Sequence, residues 1–205
     1  MSAFADLLHS KGITDEDDIE WLHLLVEDWQ MIADLAFSDL VLWVKEGDTF
    51  TVVAHCRPNT GSTVYPHDEI GTVANDAERS LISDAMESAQ TRQYGSDEGL
   101  LQGAEAVPVV RDGSVIAVLT IHSDVERKAN YSRMERNYRS AGVMLLSMIA
   151  EGYFPDVEAP SGVRRGEPRV GDGMLVLNRE GRVRYASPNA ISVLYRLGYK
   201  GELEG

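Results

Sequence analysis

Cysteine and basic residues are scarce in this 205-residue sequence, which has one cysteine, and 19 lysines and arginines against 33 acidic residues. A lone cysteine can form neither an internal disulfide nor a multi-cysteine zinc site, and it fits a reducing compartment. The formal net charge of −14 repels phosphate backbones and anionic membrane surfaces. We therefore expect no disulfide framework and no direct binding of this chain to nucleic acid or membranes.

Long apolar runs and catalytic motifs are also missing. No stretch approaches the roughly 18 apolar residues that a membrane span requires, and residues 1–20 lack the apolar centre of a signal peptide. The sequence has no Gly-x-x-x-x-Gly-Lys-Ser/Thr phosphate loop, no Gly-x-Ser-x-Gly nucleophile elbow and no His-Glu-x-x-His zinc helix. We expect a cytoplasmic protein, with no catalytic residue, metal site or cofactor in this chain.

Apolar residues are spaced in two different ways along the chain. Spacings of three and four predict helices that begin near Thr14, near Asn75 or Asp76, and near Met134. Runs of β-favouring residues predict strands over 40–45 and 49–55 and over 104–110 and 114–122, and each pair is joined by a glycine-containing turn. This order indicates an α+β fold, an antiparallel sheet flanked by helices.

The pattern ends near residue 152 and restarts near residue 171. Residues 153–170 contain three prolines and two glycines without apolar periodicity, which indicates a linker. Residues 171–205 predict a β-β-α unit that is too short to bury a core of its own. We therefore divide the chain into a first domain (1–152), a linker (153–170) and the beginning of a second domain (171–205). We expect it to be part of a longer protein.

The loop over 54–71 is the stretch around which the first domain is organised. It contains two of the five histidines and the turn formers Pro58, Asn59 and Gly61. Polar loops at the end of a strand commonly present binding surfaces. The candidate ligand-binding residues are therefore His55, Cys56, Arg57, Asn59, Thr60 and Thr63.

Other interpretations of this loop stay open. Cys56 beside His55, with His67 farther along, could bind a transition metal. A thiol activated by Arg57 could act as a redox sensor. The simplest alternative is a buried structural cysteine at a strand end, below an ordinary surface loop.

Three sets of residues carry a resemblance to known families. The hairpin over 106–110 and 115–119 (AVPVV and VIAVL) resembles a GAF domain, and residues 172–175 with 180–190 (DGML and EGRVRYASPNA) resemble the opening of a PAS domain. Together with 56–64 and 150–156 (CRPNTGSTV and AEGYFPD), they resemble the sensory half of soluble actinobacterial sensor histidine kinases of the PdtaS type. The resemblance covers nearly the whole chain.

The resemblance implies a particular function. In that family GAF and PAS domains precede a phosphoacceptor-histidine segment and an ATP-binding domain, which would lie beyond Gly205 and use ATP and Mg²⁺. The phosphoryl group passes to a response regulator of the ANTAR type. GAF domains commonly hold a small molecule between the sheet and the central loop, and some have lost ligand binding and serve as dimerising spacers. GAF domains that bind cyclic nucleotides often carry an Asn-Lys-Phe-Asp-Glu signature, which is absent from this sequence, so the resemblance does not imply a cyclic-nucleotide ligand.

Terminal GAF helices pack together and form dimers in this family. The resemblance therefore implies a homodimer, with Trp21, Trp29, Leu145 and Met148 as the candidate contacts. A basic face at the start of the last helix could complement the acidic first helix, or could be solvated. Its residues are Arg127, Lys128, Arg133, Arg136 and Arg139.

We interpret the chain as the dimerising input region of a cytosolic two-component sensor histidine kinase. On its own, this region is expected to be inactive as an enzyme. The alternatives are a free-standing GAF-type ligand-binding or redox protein, and a dimerisation spacer that binds no ligand.

Overall fold

The computed structural model describes residues 2–94, 103–124, 131–156 and 170–201. In chain order its elements are helices α1 (Ala3–Ser10) and α2 (Glu16–Ala36), strands β1 (Ser38–Glu46) and β2 (Thr49–Cys56), helix α3 (Asp76–Ser88), strands β3 (Arg92–Gln93), β4 (Glu105–Arg111) and β5 (Ser114–Ser123), helix α4 (Arg133–Glu151), the 3-10 turn Val170–Asp172, strands β6 (Leu175–Leu177) and β7 (Val183–Ala186), and helix α5 (Pro188–Arg196).

The predicted α+β class is confirmed, and most predicted boundaries agree with the structure within two residues. Two short elements, α1 and β3, were not predicted, because neither is long enough to show a clear apolar period. The cap of α2 is a correction. Asp15, rather than Thr14, is the N-cap of the helix, since the Asp15 carboxylate accepts hydrogen bonds from the backbone N–H groups of Asp17 and Asp18.

One antiparallel sheet of five strands, in the order β2-β1-β5-β4-β3, forms the centre of the first domain. The two hairpins meet where β1 pairs with β5, in a register that runs from Ser38 opposite Ser123 to Trp43 opposite Val118. Because side chains alternate along a strand, β1 supplies both faces of the sheet. Leu40, Leu42 and Val44 belong to one buried cluster, and Val41 and Trp43 to another.

Helices α1, α2 and α4 cover the first face of the sheet. Their apolar stripes supply the first core, which includes Leu8, Leu22, Leu25 and Ile149, all with no exposed surface. The backbones of α2 and α4 approach closely at Gly142, where an added Cβ would lie 3.1 Å from the backbone nitrogen of Ala36. Among the described residues, no helix is both long and apolar enough to cross a bilayer.

Helix α3 covers the second face together with the central loop. Asn75 caps this helix in a capping box with Glu78, and Leu81, Ile82 and Ala85 are buried against the sheet. The second core also contains a loop residue, Tyr65.

The β6-β7-α5 unit packs against the first domain. Val170, Met174 and Tyr185 lie against a third buried cluster that includes Leu35 at the end of α2 and Tyr138 on α4. Within the unit, the buried Ser187 hydroxyl accepts hydrogen bonds from the backbone N–H groups of Met174 and Ala190. The predicted β-β-α order is present, and its assignment as the start of a PAS domain stays a prediction.

Candidate functional site

The loop over 54–71, the central loop, leaves β2 after Cys56 and lies across the second face of the sheet. Its far end returns along β2, where the backbone N–H of Val52 donates to Thr72 and that of Ala74 donates to Phe50. Among residues 59–73, Tyr65 is the only buried one. The buried Tyr65 side chain, with the partly buried Val64 beside it, therefore anchors a largely exposed segment to the core.

Asp39 on β1 is the first of two buried carboxylates that hold this loop. It has no exposed surface, and its two oxygens accept hydrogen bonds from the Thr63 hydroxyl (2.6 Å) and the Val64 backbone N–H (2.7 Å). Burial by itself raises the pKa of this carboxyl, but His55, Thr63 and Val64 stabilise its charged form, and the pKa of Asp39 is lowered overall. The loop contacts therefore favour an ionised Asp39.

Asp34 near the end of α2 is the second carboxylate. Its Oδ1 accepts hydrogen bonds from the backbone N–H of Asn59 (2.5 Å) and from Nε2 of Gln30 (3.2 Å). Its backbone carbonyl accepts the hydroxyl of Thr60 at 2.6 Å. Gln30 also donates to the carbonyl of Arg57 at 2.9 Å. The first half of the loop is thus bound to the last turns of α2.

A buried polar cluster lies on the sheet beneath the loop. The Tyr65 hydroxyl is 3.2 Å from Nε2 of His122, which is 2.9 Å from Oγ1 of Thr120. The same Thr120 oxygen accepts the indole N–H of Trp43 at 2.8 Å. Tyr65 also stands edge-on to the imidazole of His55, with ring centroids 5.4 Å apart. Tyr65 therefore links two histidines that belong to different strands.

The imidazole of His55 is fully buried between two carboxylates. Its Nε2 lies 3.4 Å from Oδ1 of Asp39, and its Nδ1 lies 3.8 Å from Oδ1 of the more exposed Asp68. Within the described part of the chain, neither ring nitrogen has a hydrogen-bond partner of acceptable geometry. Buried polar atoms in native proteins nearly always have a hydrogen-bond partner. The lack of one at both ring nitrogens makes His55 a candidate functional residue.

Cys56 points to the opposite face of the sheet from His55, as neighbouring strand residues do. Its thiol is buried in the first core and donates a hydrogen bond to Oε1 of Gln30 at 3.3 Å. A shared metal site of Cys56, His55 and His67 therefore does not form in this arrangement. Across residues 2–94, 103–124, 131–156 and 170–201, no group of three or more His, Cys, Asp or Glu side chains is arranged to hold a metal ion.

Five of the six predicted ligand residues lie in three places. His55 and Thr63 both contact Asp39, Asn59 and Thr60 contact Asp34, and Cys56 lies on the other face. Arg57 connects the halves of the loop, since its Nε donates to the carbonyl of Tyr65 at 3.4 Å. Sequence reasoning missed Asp39, Tyr65, Thr120 and His122. Asp39, Thr120 and His122 could have been found from the sequence, because each is a polar residue inside an otherwise apolar strand.

A cleft of about 600 Å³ separates the loop from the second unit. Gln30, Asp34, Asn59 and Thr60 line one side, and the turn Val170–Asp172 lines the other. The residues that hold the loop thus also face the β6-β7-α5 unit.

The predicted dimer residues differ in accessibility. Trp29 is only 7% exposed and lies in the first core, so packing within one chain explains the apolar stripe at this position. Trp21 and Leu145 are partly buried against that core, whereas Met148 on α4 is 38% exposed. Of the four, Met148 is the most available to a second chain.

The acidic residues at the start of α2 contact the sheet, and the pairing of acidic and basic helical faces stays a prediction. Arg111, at the end of β4, forms ion pairs with Asp15, Asp17 and Asp18. On α4, the guanidinium of Arg139 lies over the ring of Tyr131. The predicted basic residues Arg127 and Lys128 lie outside the described residues.

Comparisons with known proteins agree with one another. The sequence model of a family described as "Histidine kinase PdtaS, GAF domain" matches residues 4–141. Proteins named "Sensor histidine kinase PdtaS" match the whole chain, at 39% identity in Mycolicibacterium smegmatis and 37% in Mycobacterium tuberculosis, and the chain covers 42% of the length of each. A solved structure described as "Sensor region of a sensor histidine kinase" is 37% identical, with a TM-score of 0.82 over 100% of this chain and 72% of that one.

Proposed function

The chain belongs to the family of PdtaS histidine kinase GAF domains, and on that basis we propose that it is the signal-receiving input region of a cytoplasmic sensor histidine kinase. Under this proposal the GAF-like domain detects the signal and the β6-β7-α5 unit passes it on. The chain spans 42% of the length of its curated relatives, and under this proposal the kinase chemistry would belong to regions outside the shared stretch.

The longer protein would autophosphorylate on a histidine with ATP and Mg²⁺ in its kinase region. It would then pass the phosphoryl group to a response regulator of the ANTAR type. The names of the relatives support the histidine-kinase part of this proposal. The regulator and the cofactors are what membership of the family leads us to expect.

One observation carries the signal-receiving role. The central loop is mostly exposed, yet two buried carboxylates, Asp34 and Asp39, and one aromatic side chain, Tyr65, hold it over a buried polar cluster. Segments with few buried contacts open at lower free energy than the core. A ligand that binds beneath the loop can therefore change its position without unfolding the domain.

The contacts of Asp34 offer a route from the loop to the second unit. Asp34 holds Asn59, and both residues line the cleft that Val170–Asp172 closes on its other side. The last turns of α2 also contact the third cluster through Leu35. Movement of the loop would therefore change what the second unit packs against.

We further propose a homodimer that uses the outer face of α4. Val143 and Met144 are each 50% exposed, and together with Met148 they form an apolar patch on that helix. Native mass spectrometry of the chain should give twice the monomer mass. A Val143→Lys and Met148→Lys double variant should be monomeric, while Leu197→Lys, a change at a residue after α5 that is 78% exposed, should stay dimeric. A wild-type monomer would contradict the dimer.

The signalling role is tested in the full-length kinase. Asp39→Asn weakens the attachment of Thr63 and Val64, so the rate of autophosphorylation should change several-fold. The control is Asp48→Asn in the exposed β1-β2 turn, which should leave the rate unchanged. An unaltered rate in Asp39→Asn, despite a loosened loop in hydrogen exchange, would contradict transmission from this site.

A dimerising spacer without a ligand is the second candidate. The burial of Cys56 and the attachment of the loop at Asp34 and Asp39 are compatible with a purely structural role. The kinase measurement distinguishes the two, because a spacer transmits nothing from the loop.

A further inference from the structure

Tyr65 enters the domain from outside the regular elements. Its neighbours Pro66 and His67 are exposed, while its own side chain lies in the second core with Val41 and Trp43. The other attachments near it are the hydrogen bonds of Thr63 and Val64 to Asp39 and the partly buried side chain of Val64, which packs against the same core. The ring therefore fills a space in the core that strands and helices leave open.

The space around the Tyr65 ring has a distinctive chemistry. The ring is edge-on to His122 (centroids 4.9 Å apart) and to His55 (5.4 Å apart), and its hydroxyl contacts the ring nitrogens of His122 at 3.2 Å. If the ring moved out, Val41 and Trp43 would offer apolar walls, and His122 and Thr120 would offer polar atoms. Apolar walls with a few fixed polar groups are typical of small-molecule sites.

His55 adds an independent indication of a ligand. Its side chain has no exposed surface, and within the described residues both of its ring nitrogens lack a hydrogen-bond partner. The rings of Tyr65 and His55 stand nearly perpendicular to each other, and this contact supplies no hydrogen bond to either nitrogen. The carboxylates of Asp39 and Asp68 lie 3.4 and 3.8 Å from these nitrogens without forming a hydrogen bond, and a ligand with a second polar group would supply that hydrogen bond.

Nearby charges favour a neutral occupant. Burial raises the pKa of the Tyr65 phenol, and the carboxylates of Glu78, Glu69 and Asp39 raise it further. The same carboxylates would repel an anionic ligand at this position. A carboxylate-bearing ring is therefore disfavoured relative to an uncharged phenol.

We propose that Tyr65 occupies a ligand site as an internal substitute, and that the ligand which displaces it is a small, neutral, hydroxylated aromatic molecule. This inference rests on the proposed sensory function and specifies its ligand class. Displacement of Tyr65 pulls on Thr63 and Val64, which releases the loop from Asp39. The ligand thus competes with one side chain of the protein, and its binding opens the loop.

The test uses p-cresol, which reproduces the Tyr65 side chain, with the 205-residue chain and isothermal titration calorimetry. Tyr65→Ala should bind p-cresol saturably, and more tightly than toluene, which lacks the hydroxyl, or 4-methylbenzoate, which is charged. The matched control is Tyr138→Ala, which truncates a buried tyrosine of the third cluster. Its cavity should show no preference for p-cresol over toluene.

Wild type provides the decisive comparison. It should bind p-cresol roughly 10- to 1,000-fold more weakly than Tyr65→Ala, since the open state is a minor population. Hydrogen exchange of residues 57–65 in wild type should speed up with p-cresol. Saturable binding to Tyr65→Ala without binding or faster exchange in wild type would overturn the proposal, because Tyr65 would then be a fixed core residue.

Two further results also decide the matter. Equal affinities of Tyr65→Ala for p-cresol and toluene would overturn the phenol class. If Tyr65→Ala does not fold, the proposal is tested by the hydrogen exchange of residues 57–65 in wild type, which should speed up with p-cresol. If the ligand proposal is wrong, Asp39→Asn should still change the rate of autophosphorylation. If the sensory function is wrong, Asp39→Asn should leave that rate unchanged, while p-cresol should still bind.

Discussion

The two faces of the central sheet differ in what they bury. The face beneath α1, α2 and α4 is packed almost wholly with aliphatic side chains, and regular helices cover it. The face beneath α3 and the central loop buries Asp39, Thr120 and His122 among its apolar residues. The apolar face stabilises the fold. The buried polar groups of the other face reduce stability, which is typical of functional sites.

Truncation on the apolar face should have the largest effect on stability. Leu22 has no exposed surface in the first core, so Leu22→Ala should lower the free energy of unfolding by about 2–5 kcal/mol. Denaturant titration measures the change. The control Leu175→Ala removes a side chain that is 41% exposed and should cost far less. Equal losses would mean that this face is not the stabilising one.

Loss of the loop anchor should have an intermediate effect. Asp39→Asn keeps the size of the side chain but weakens two hydrogen bonds to the loop, at a cost of about 1–3 kcal/mol. Hydrogen exchange should speed up in residues 57–65, whereas α2 and α4 should keep their protection. Uniformly faster exchange across both faces would show that the loop does not open separately.

The pH dependence of stability should also come from the polar face. The pKa of Asp39 is lowered in the fold from the ordinary value of 3.8. The stabilisation is therefore fully present above that value and is lost as the pH falls through the lowered pKa. Denaturation of wild type and Asp39→Asn from about pH 6 to about pH 3 should show their difference shrinking at the acid end. A constant difference would contradict the ionised anchor.

Charge removal at the edge of the apolar face should have the smallest effect. Arg111 contacts Asp15, Asp17 and Asp18 near the surface, where ion pairs contribute little and salt screens them. Arg111→Gln should lower the melting temperature slightly at low salt and hardly at all at high salt. Arg182→Gln, a change of an exposed arginine, serves as control. A large loss that persisted at high salt would indicate a packing role.

Much of the fold could be read from local patterns. The main helices, the two hairpins and the β-β-α order followed from spacing and turn residues, because these depend on near neighbours along the chain. The candidate site was only partly predicted. The loop pattern predicts His55 and Thr63, but the pattern around Thr120 and His122 predicts only a strand, because nothing local shows which strand will lie beside β1.

Local patterns and motifs are therefore sufficient for the α+β class and the family of the chain. The three-dimensional fold sets which polar residues meet. Asp39, His55 and His122 come together only because β1 pairs with β2 on one side and with β5 on the other, and Tyr65 joins them from the loop. It also decided that Trp29 packs within its own chain, because an apolar stripe predicts a neighbour without identifying which one.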